Sequence, residues 1–301
     1  DCSENQLGQM DISALTSAKY VYLMNNSITN LITGELPLLE ELNVSFNGLT
    51  SVNLANFPGL KALSVDNNKI SSLSVEQNTK LEKLYCKSNK IQALDITMLP
   101  GLKELSASGN RLTTIDLSKN EQLELLALKD NSLESINLGN NAKLTEINVN
   151  ENKLKAIDLS KCTNLVELYC NTNELTKLDL AANKSLQTLS CGDNKLTTLN
   201  VEGMEELESM AAMYNELTSV DVKNCPTLMA VSLDHNMLNG LDFTGCSSLR
   251  LVDISINKFS TDNALKMIAT LPELNEDDMG YIIYWNKEEY PDDEEGNEFD
   301  Y

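Results

Sequence analysis

Asparagine recurs every 21 residues along most of this chain, at Asn26, Asn47, Asn68, Asn89, Asn110, Asn131, Asn152, Asn173, Asn194, Asn215, Asn236 and Asn257, and apolar residues keep fixed offsets from it. An apolar residue stands eight and five positions before it (Leu39/Leu42, Leu60/Leu63, Leu186/Leu189, Leu207/Met210). A smaller or branched one stands three before (Val44, Cys86, Ala107, Ile254), and another two after (Leu49, Ile70, Phe259). A constant period of this length describes one short unit copied and stacked, so the chain is a solenoid in which each unit touches its neighbours. The apolar–x–apolar alternation just before the asparagine is that of a half-buried strand. Stacked units therefore pair these strands in parallel, about 4.8 Å apart. A second alternation falls five and seven residues after the asparagine, as in Ile115/Leu117, Ile157/Leu159, Leu178/Leu180 and Leu199/Val201, often with Asp or Asn between (Asp116, Asp158, Asp179, Asn200). It predicts a second, shorter parallel ladder on the opposite wall, leaving little room for a helix within the unit.

The asparagine itself is expected to be buried. Burying an amide costs several kcal/mol unless its groups are bonded, and this short side chain carries one acceptor and two donors. It can bond the backbone of its own turn and of the next, building a polar ladder that is stable only when complete. Aspartate would add charge and lack the donors. An exposed turn position would drift to Asp, Gly or Ser, which this column does not.

Both ends depart from the pattern. Residues 1–17 lack the apolar ladder and are expected to form an N-terminal cap, with the solenoid proper spanning 18–260. After Asn257 the period breaks. The segment STDNALKMIATLPEL has Ala264, Leu265, Ile268 and Leu271 at helical spacing, with Asp262 or Asn263 placed to cap its start. GYIIYWN then reads as one more strand, with Asn286 in the ladder role. A helix plus a degenerate repeat over 261–290 would close the apolar end, and 291–301 reads as an acidic tail.

Segments such as LEELNVSFNGL, LKELSASGNRLTTIDLSKN and LVELYCNTNELTKLDLAAN resemble the LxxLxLxxNxL pattern of leucine-rich repeat proteins. The 21-residue length, the LYCNTN variant and the LDLSKN half are similar to a bacterial subclass with two nested half-repeats, the IRREKO type. The resemblance covers about residues 18 to 260. It implies a leucine-rich repeat right-handed solenoid, mainly β, with a concave parallel sheet and a C-terminal helix-plus-strand cap. It also implies binding, usually of a protein, by an exported protein at the cell surface or secreted, as in the internalins.

Composition narrows the partners. The formal charge is −22. Glu273 to Tyr301 hold twelve acidic residues against one lysine, half of that excess. So acidic a chain is a poor match for nucleic acid, and no apolar run approaches a membrane span. Cys86, Cys170 and Cys191 fall at an inward strand position and Cys162, Cys225 and Cys246 at an inward loop position, where they act as small apolar fillers. Only Cys2 lies outside these rows.

Catalytic chemistry finds little purchase. The single histidine, His235, stands near Ser232 and Asp234, but alternation along one strand does not build a nucleophile–base–acid constellation. Glu146 and Glu167 fall on neighbouring strands at glycosidase-like spacing, yet an open sheet gives no reason for a raised pKa. No phosphate loop, metal cluster or cofactor motif is present, and no enzymatic activity is expected.

Binding positions are those that the repeats do not share. The residues just before the last ladder asparagines run Tyr214, His235, Ile256 and Trp285, flanked by Met213 and Tyr284. Clustered aromatic and methionine side chains are enriched at interfaces. A glycan would favour the flat tyrosine beside amides and carboxylates, as in Glu146, Asn148, Asn150, Glu167, Tyr169 and Asn171. The expected partner is a protein, host or bacterial, met through the concave face and C-terminal aromatic edge, with a glycan-binding surface protein as the alternative and a structural protein that assembles end to end as the lesser one.

Overall fold

A computed structural model describes residues 1–273 and the strand Tyr281–Ile283. The chain divides into two compact units, Asp1–Lys153 and Leu154–Tyr301, and each is a parallel β-solenoid. In the first unit the main ladder runs Tyr20–Tyr22, Glu41–Asn43, Ala62–Ser64, Lys83–Tyr85, Glu104–Ser106, Leu125–Ala127 and Glu146–Asn148, every pair parallel. In the second it runs Glu167–Tyr169, Thr188–Ser190, Ser209–Ala211, Ala230–Ser232, Leu251–Asp253 and Tyr281–Ile283. The register advances by one repeat at each step, so Leu42 faces Leu63 and Met210 faces Val231. Strand GYIIYWN thus joins the ladder through Tyr281–Ile283, while Asn286 lies outside the described residues.

The three-residue strands follow from the period-two pattern. In the main ladder from Tyr20–Tyr22 to Leu251–Asp253, each central residue points inward and is buried, and its two neighbours point out. The rows eight and five before the asparagine, and two after it, are almost wholly inaccessible: Leu60, Leu63 and Ile70 are fully buried, as are Leu228, Val231 and Leu238. Each such leucine contributes about 2 kcal/mol of burial.

The second ladder forms only in pieces. Gln9–Asp11 pairs with Asn30–Ile32, Thr114–Asp116 with Ser135–Asn137, and Thr198–Asn200 with Ser219–Asp221, all parallel. Elsewhere the same wall is irregular. Where it lapses, Ala93, Ala156, Lys177 or Gly240 often opens the segment, residues poorer in strand propensity than Thr114 or Thr198. Ser51 and Ser72 do not follow that rule. Four of the six strands end in an Asx turn, as where Asp116 Oδ1 accepts from Ser118 N at 2.9 Å and Asn200 Oδ1 from Glu202 N at 2.9 Å.

The ladder asparagine makes four bonds in each repeat. Asn68 Nδ2 donates to Val65 O (3.1 Å) and Asp66 O (3.1 Å) of its own turn and to Val44 O (3.0 Å) of the turn before. Its Oδ1 accepts from Leu49 N at 3.0 Å, also in the turn before. Asn194, Asn215 and Asn236 repeat this set. The cross-turn partner is therefore the preceding turn, not the following one. To converge two carbonyls on one amide, the residue before each asparagine turns left-handed, with φ between 50° and 57° from Glu4 to Ile256, Gly109 aside at 65°.

This set extends into residues 1–17, which corrects the expectation that they stand outside the ladder. Asn5 Nδ2 donates to Cys2 O (3.1 Å) and Ser3 O (2.9 Å), Glu4 takes the left-handed turn, and Asn26 bonds Cys2 O and Leu7 N in turn. Cys2 thus occupies the inward strand offset, three before Asn5, though it is exposed there.

A second asparagine row stands ten residues later. Asn78, Asn120, Asn141 and Asn183 are buried and donate to the carbonyl 24 residues back: Leu54, Ile96, Leu117 and Leu159. Cys225 and Cys246 stand in the same row and place Sγ 3.1 Å from Val201 O and Val222 O. They are donors as well as fillers, a correction to the purely apolar role expected of them.

The helix Thr261–Ile268 is capped by Ser260, whose hydroxyl accepts from Asn263 N, rather than by Asp262 or Asn263. It buries Ala264 and Met267, leaving Leu265 and Ile268 exposed.

Two outcomes follow. Replacing Asn215 by Leu leaves Leu196 N without its acceptor and removes one of the two donors to each of the carbonyls of Cys191 and Ala212, which keep Asn194 and Asn236, and should lower stability by about 2 kcal/mol, read from urea unfolding. Thr172 is β-branched, exposed and left-handed at φ 54°. Thr172→Asn should raise the stability read from the same unfolding curve by about 1 kcal/mol.

Candidate binding surface

The outward positions of the main ladder lie six, four and two residues before each asparagine, and the left-handed turn then adds a fourth outward side chain at the ladder's edge. In the first unit these positions form a charged, hydroxyl-rich face. Tyr85 Oη donates to the Glu104 carboxylate, which also takes Lys83 Nζ at 2.7 Å. Burial first, and Glu104 second, push the Tyr85 phenol up, so it stays protonated. Desolvation works against the Glu104 charge, but Lys83 and Tyr85 outweigh it and hold the carboxyl below its usual range. Burial raises the Asp66 carboxyl, opposed by the Lys87 N–H that it accepts at 2.7 Å. Tyr22 is raised by burial and by Glu41 in the same way.

Beside this face, seven residues before each asparagine, charges alternate as Lys19, Glu40, Lys61, Glu82, Lys103 and Glu124. Glu40 bridges Lys19 (3.3 Å) and Lys61 (2.7 Å), and Glu82 pairs with Lys103 (2.7 Å). Sequence reasoning passed over both the column and the Tyr–Glu pairs. Reading each offset down the repeats, rather than each strand along the chain, reveals the column.

Glu146, Asn148 and Asn150 lie in the first unit, where Asn148 Oδ1 accepts from Asn150 N at 3.2 Å. Glu167, Tyr169 and Asn171 lie in the second. Tyr169 Oη donates to Glu167 Oε2 at 2.7 Å, and Asn171 Oδ1 accepts from Ser190 Oγ (2.9 Å) and Gly192 N (2.7 Å). Asn148, Tyr169 and Asn171 are thus already ordered, each within its own unit, by bonds to neighbouring side chains or backbone N–H groups.

The edge of the second unit is different in kind. The Tyr214 and His235 rings stack with centroids 4.0 Å apart and planes at 19°. His235 Nδ1 lies 2.9 Å from Asp234 Oδ2, which fixes the ring over Tyr214. Ile256 follows at the next turn, half-buried. Met213 lies over Gly192, so close that a Cβ added there would meet its Sδ at 2.7 Å. Tyr214 keeps 49% of its surface exposed. Tyr284 and Trp285 lie outside the described residues. A further aromatic pair in the first unit, Tyr20 and Phe46, is exposed to 56% and 47%.

Among the described residues no three or more His, Cys, Asp or Glu side chains gather as a metal site, and no helix is long and apolar enough to cross a membrane. The cysteines are all free thiols. Burial raises those of Cys86, Cys170 and Cys191, in the last case to about 12, so they stay protonated.

No family model and no curated protein matches the chain. Solved structures do. The functional domain of InlJ from Listeria monocytogenes, which includes a cysteine ladder, is 33% identical with a TM-score of 0.75. That match covers 79% of this chain and 53% of InlJ's, so this chain spans about half the length of that domain. The leucine-rich repeat domain of APL1B is 21% identical (TM-score 0.78, covering 97% of this chain and 92% of that one). The internalin InlF of Listeria monocytogenes str. 4b F2365 is 21% identical (TM-score 0.65, covering 90% and 88%). These two show the fold. With its unbroken 21-residue ladder and its identity to InlJ, the chain has the leucine-rich repeat solenoid fold and is similar to the bacterial internalins.

Proposed function

We propose that this protein is an exported, non-catalytic binding protein that captures a protein partner through the outward main-ladder face and the edge formed by Met213, Tyr214, His235 and Ile256. The observation that carries this reading is the backbone under that edge. A left-handed residue without glycine or asparagine costs about 1 kcal/mol. Elsewhere the chain meets that demand with Asn25, Asn67, Gly109 and other polar residues, Phe46 being the one other bulky apolar side chain there. Over consecutive repeats it places Tyr214, His235 and Ile256 there instead. Bulky side chains held at a strained position, half in water, are explained by what they touch outside the chain rather than by packing within it.

The neighbours support a binding role, since they include internalins. A rigid, preformed surface loses little entropy on association, and a stacked aromatic pair adds about 0.5–1.5 kcal/mol to whatever seats on it. The glycan reading rests on Tyr169, its bond to Glu167 and the ordered amide of Asn171.

The double variant Tyr214→Asn, His235→Asn separates recognition from packing. Both substitutions suit the left-handed turn, so thermal stability should hold or rise. Capture of a protein partner in a pull-down should fall at least about tenfold, a change of about 1.4 kcal/mol. Equal capture by both forms contradicts the edge as the contact. Hits on a glycan array that vanish with Tyr169→Ala and survive the double variant move the reading to a glycan.

A further inference from the structure

The dipeptide Asn-Gly occurs twice, at Asn47–Gly48 and Asn239–Gly240, and the fold holds the two in opposite ways. Asn-Gly is the pair in which the following backbone nitrogen most readily attacks the side-chain amide, because glycine offers no Cβ to obstruct it. The Gly N–Asn Cγ bond forms and the Cγ–Nδ2 bond breaks. Ammonia leaves with the proton from the glycine nitrogen, and a succinimide remains. Water then opens the ring to aspartate or to isoaspartate, the latter with the extra methylene in the main chain. The reaction needs a free side chain, an unbonded glycine N–H and room for the backbone to turn.

Asn47–Gly48 denies all three. The Asn47 amide makes the full ladder set, to Leu23 O, Val44 O, Ser45 O and Ile28 N. Gly48 N donates to Ile28 O at 2.8 Å, and a Cβ on Gly48 would meet Thr29 Cγ2 at 3.0 Å.

Asn239–Gly240 provides all three. Both residues are exposed, and among the described residues neither the Asn239 side chain nor the Gly240 N–H makes a hydrogen bond. Nothing lies within 4 Å of a Cβ built on Gly240. The second ladder also ends here. Thr218 N–H donates to Thr197 O at 3.0 Å, but Asn239 makes no such bond to Thr218, and residues 240–242 join no strand. At that opening lies a cleft of about 530 Å³, lined in part by Gly240, Asp221, Asp242 and Lys223.

We propose that Asn239 is a deamidation site of the folded protein, converting to aspartate and isoaspartate at the rim of this cleft while Asn47 is preserved. The converted chain carries one more negative charge beside Asp221 and the Lys223–Asp242 pair, whose atoms are 2.9 Å apart.

The test incubates the folded full-length chain in mildly alkaline buffer beside a sample in denaturant, followed by peptide mapping. In denaturant both peptides should gain about one mass unit. In the folded sample only the Asn239 peptide should gain it, with isoaspartate detected there by enzymatic methyl transfer and a more acidic species on anion exchange. Gly240→Ala should slow conversion strongly while leaving the fold intact, since the added methyl meets open space. Conversion of Asn47 at the same rate as Asn239 in the folded chain overturns the proposal. So does an Asn239 peptide unchanged in the folded chain over a period that converts it in denaturant.

Discussion

The structure depends on one buried amide per turn. The ladder asparagine spends its donors on carbonyls and its acceptor on a backbone N–H, and some of those partners belong to the turn before. That is why the residue is not exchanged for aspartate, which has no donors, or for leucine, which has neither group. It is also why the backbone before it accepts a left-handed residue in every repeat. The bonds within the turn shape it, and the bonds to the preceding turn hold successive turns in register. Each amide is satisfied only if its neighbour is in place, so the polar ladder is cooperative along the stack.

With architecture fixed by the shared positions, recognition falls to the unshared ones. The first unit carries a face of paired charges and phenols, ordered by Lys83–Glu104, Tyr85–Glu104 and the alternating column beside it. Exposed pairs of that kind add little stability each; their value is in holding side chains still. The second unit carries small polar side chains and, at its edge, the stacked Tyr214 and His235. The two units therefore present different chemistry on the same backbone.

Much of this was legible because the period is constant. The strand positions, the apolar rows and the burial of the amide all follow from offsets to one residue. What the pattern hid has physical causes. Asn5 was missed because its leucine partners, five and eight positions earlier, would fall before residue 1, so only the amide marks the turn. The helix was legible but its inward face only in part: Ala264 belongs to the predicted apolar set and is buried, whereas Leu265 and Ile268 share the spacing of Ala264 and Met267, and only the packing decides which pair turns inward. The thiol bonds of Cys225 and Cys246 look like filler in sequence, since the same residue type at Cys170 is simply buried. The left-handed turns were invisible because glycine occupies only one of them, Gly109, while Tyr, His, Ile and Thr occupy others. The Tyr214–His235 stack was half legible: the offset predicts neighbours, but the ring geometry depends on Asp234 holding the imidazole.

Residue-resolved hydrogen exchange tests the central constraint most directly. The amides of Leu175, Leu196 and Leu217 belong to no strand, and each donates to a ladder asparagine at 3.0 Å. If the asparagine side chains tie successive turns together, these amides should exchange as slowly as those of the neighbouring main-ladder strands. Exchange at the rate of the exposed turns around them would contradict the account.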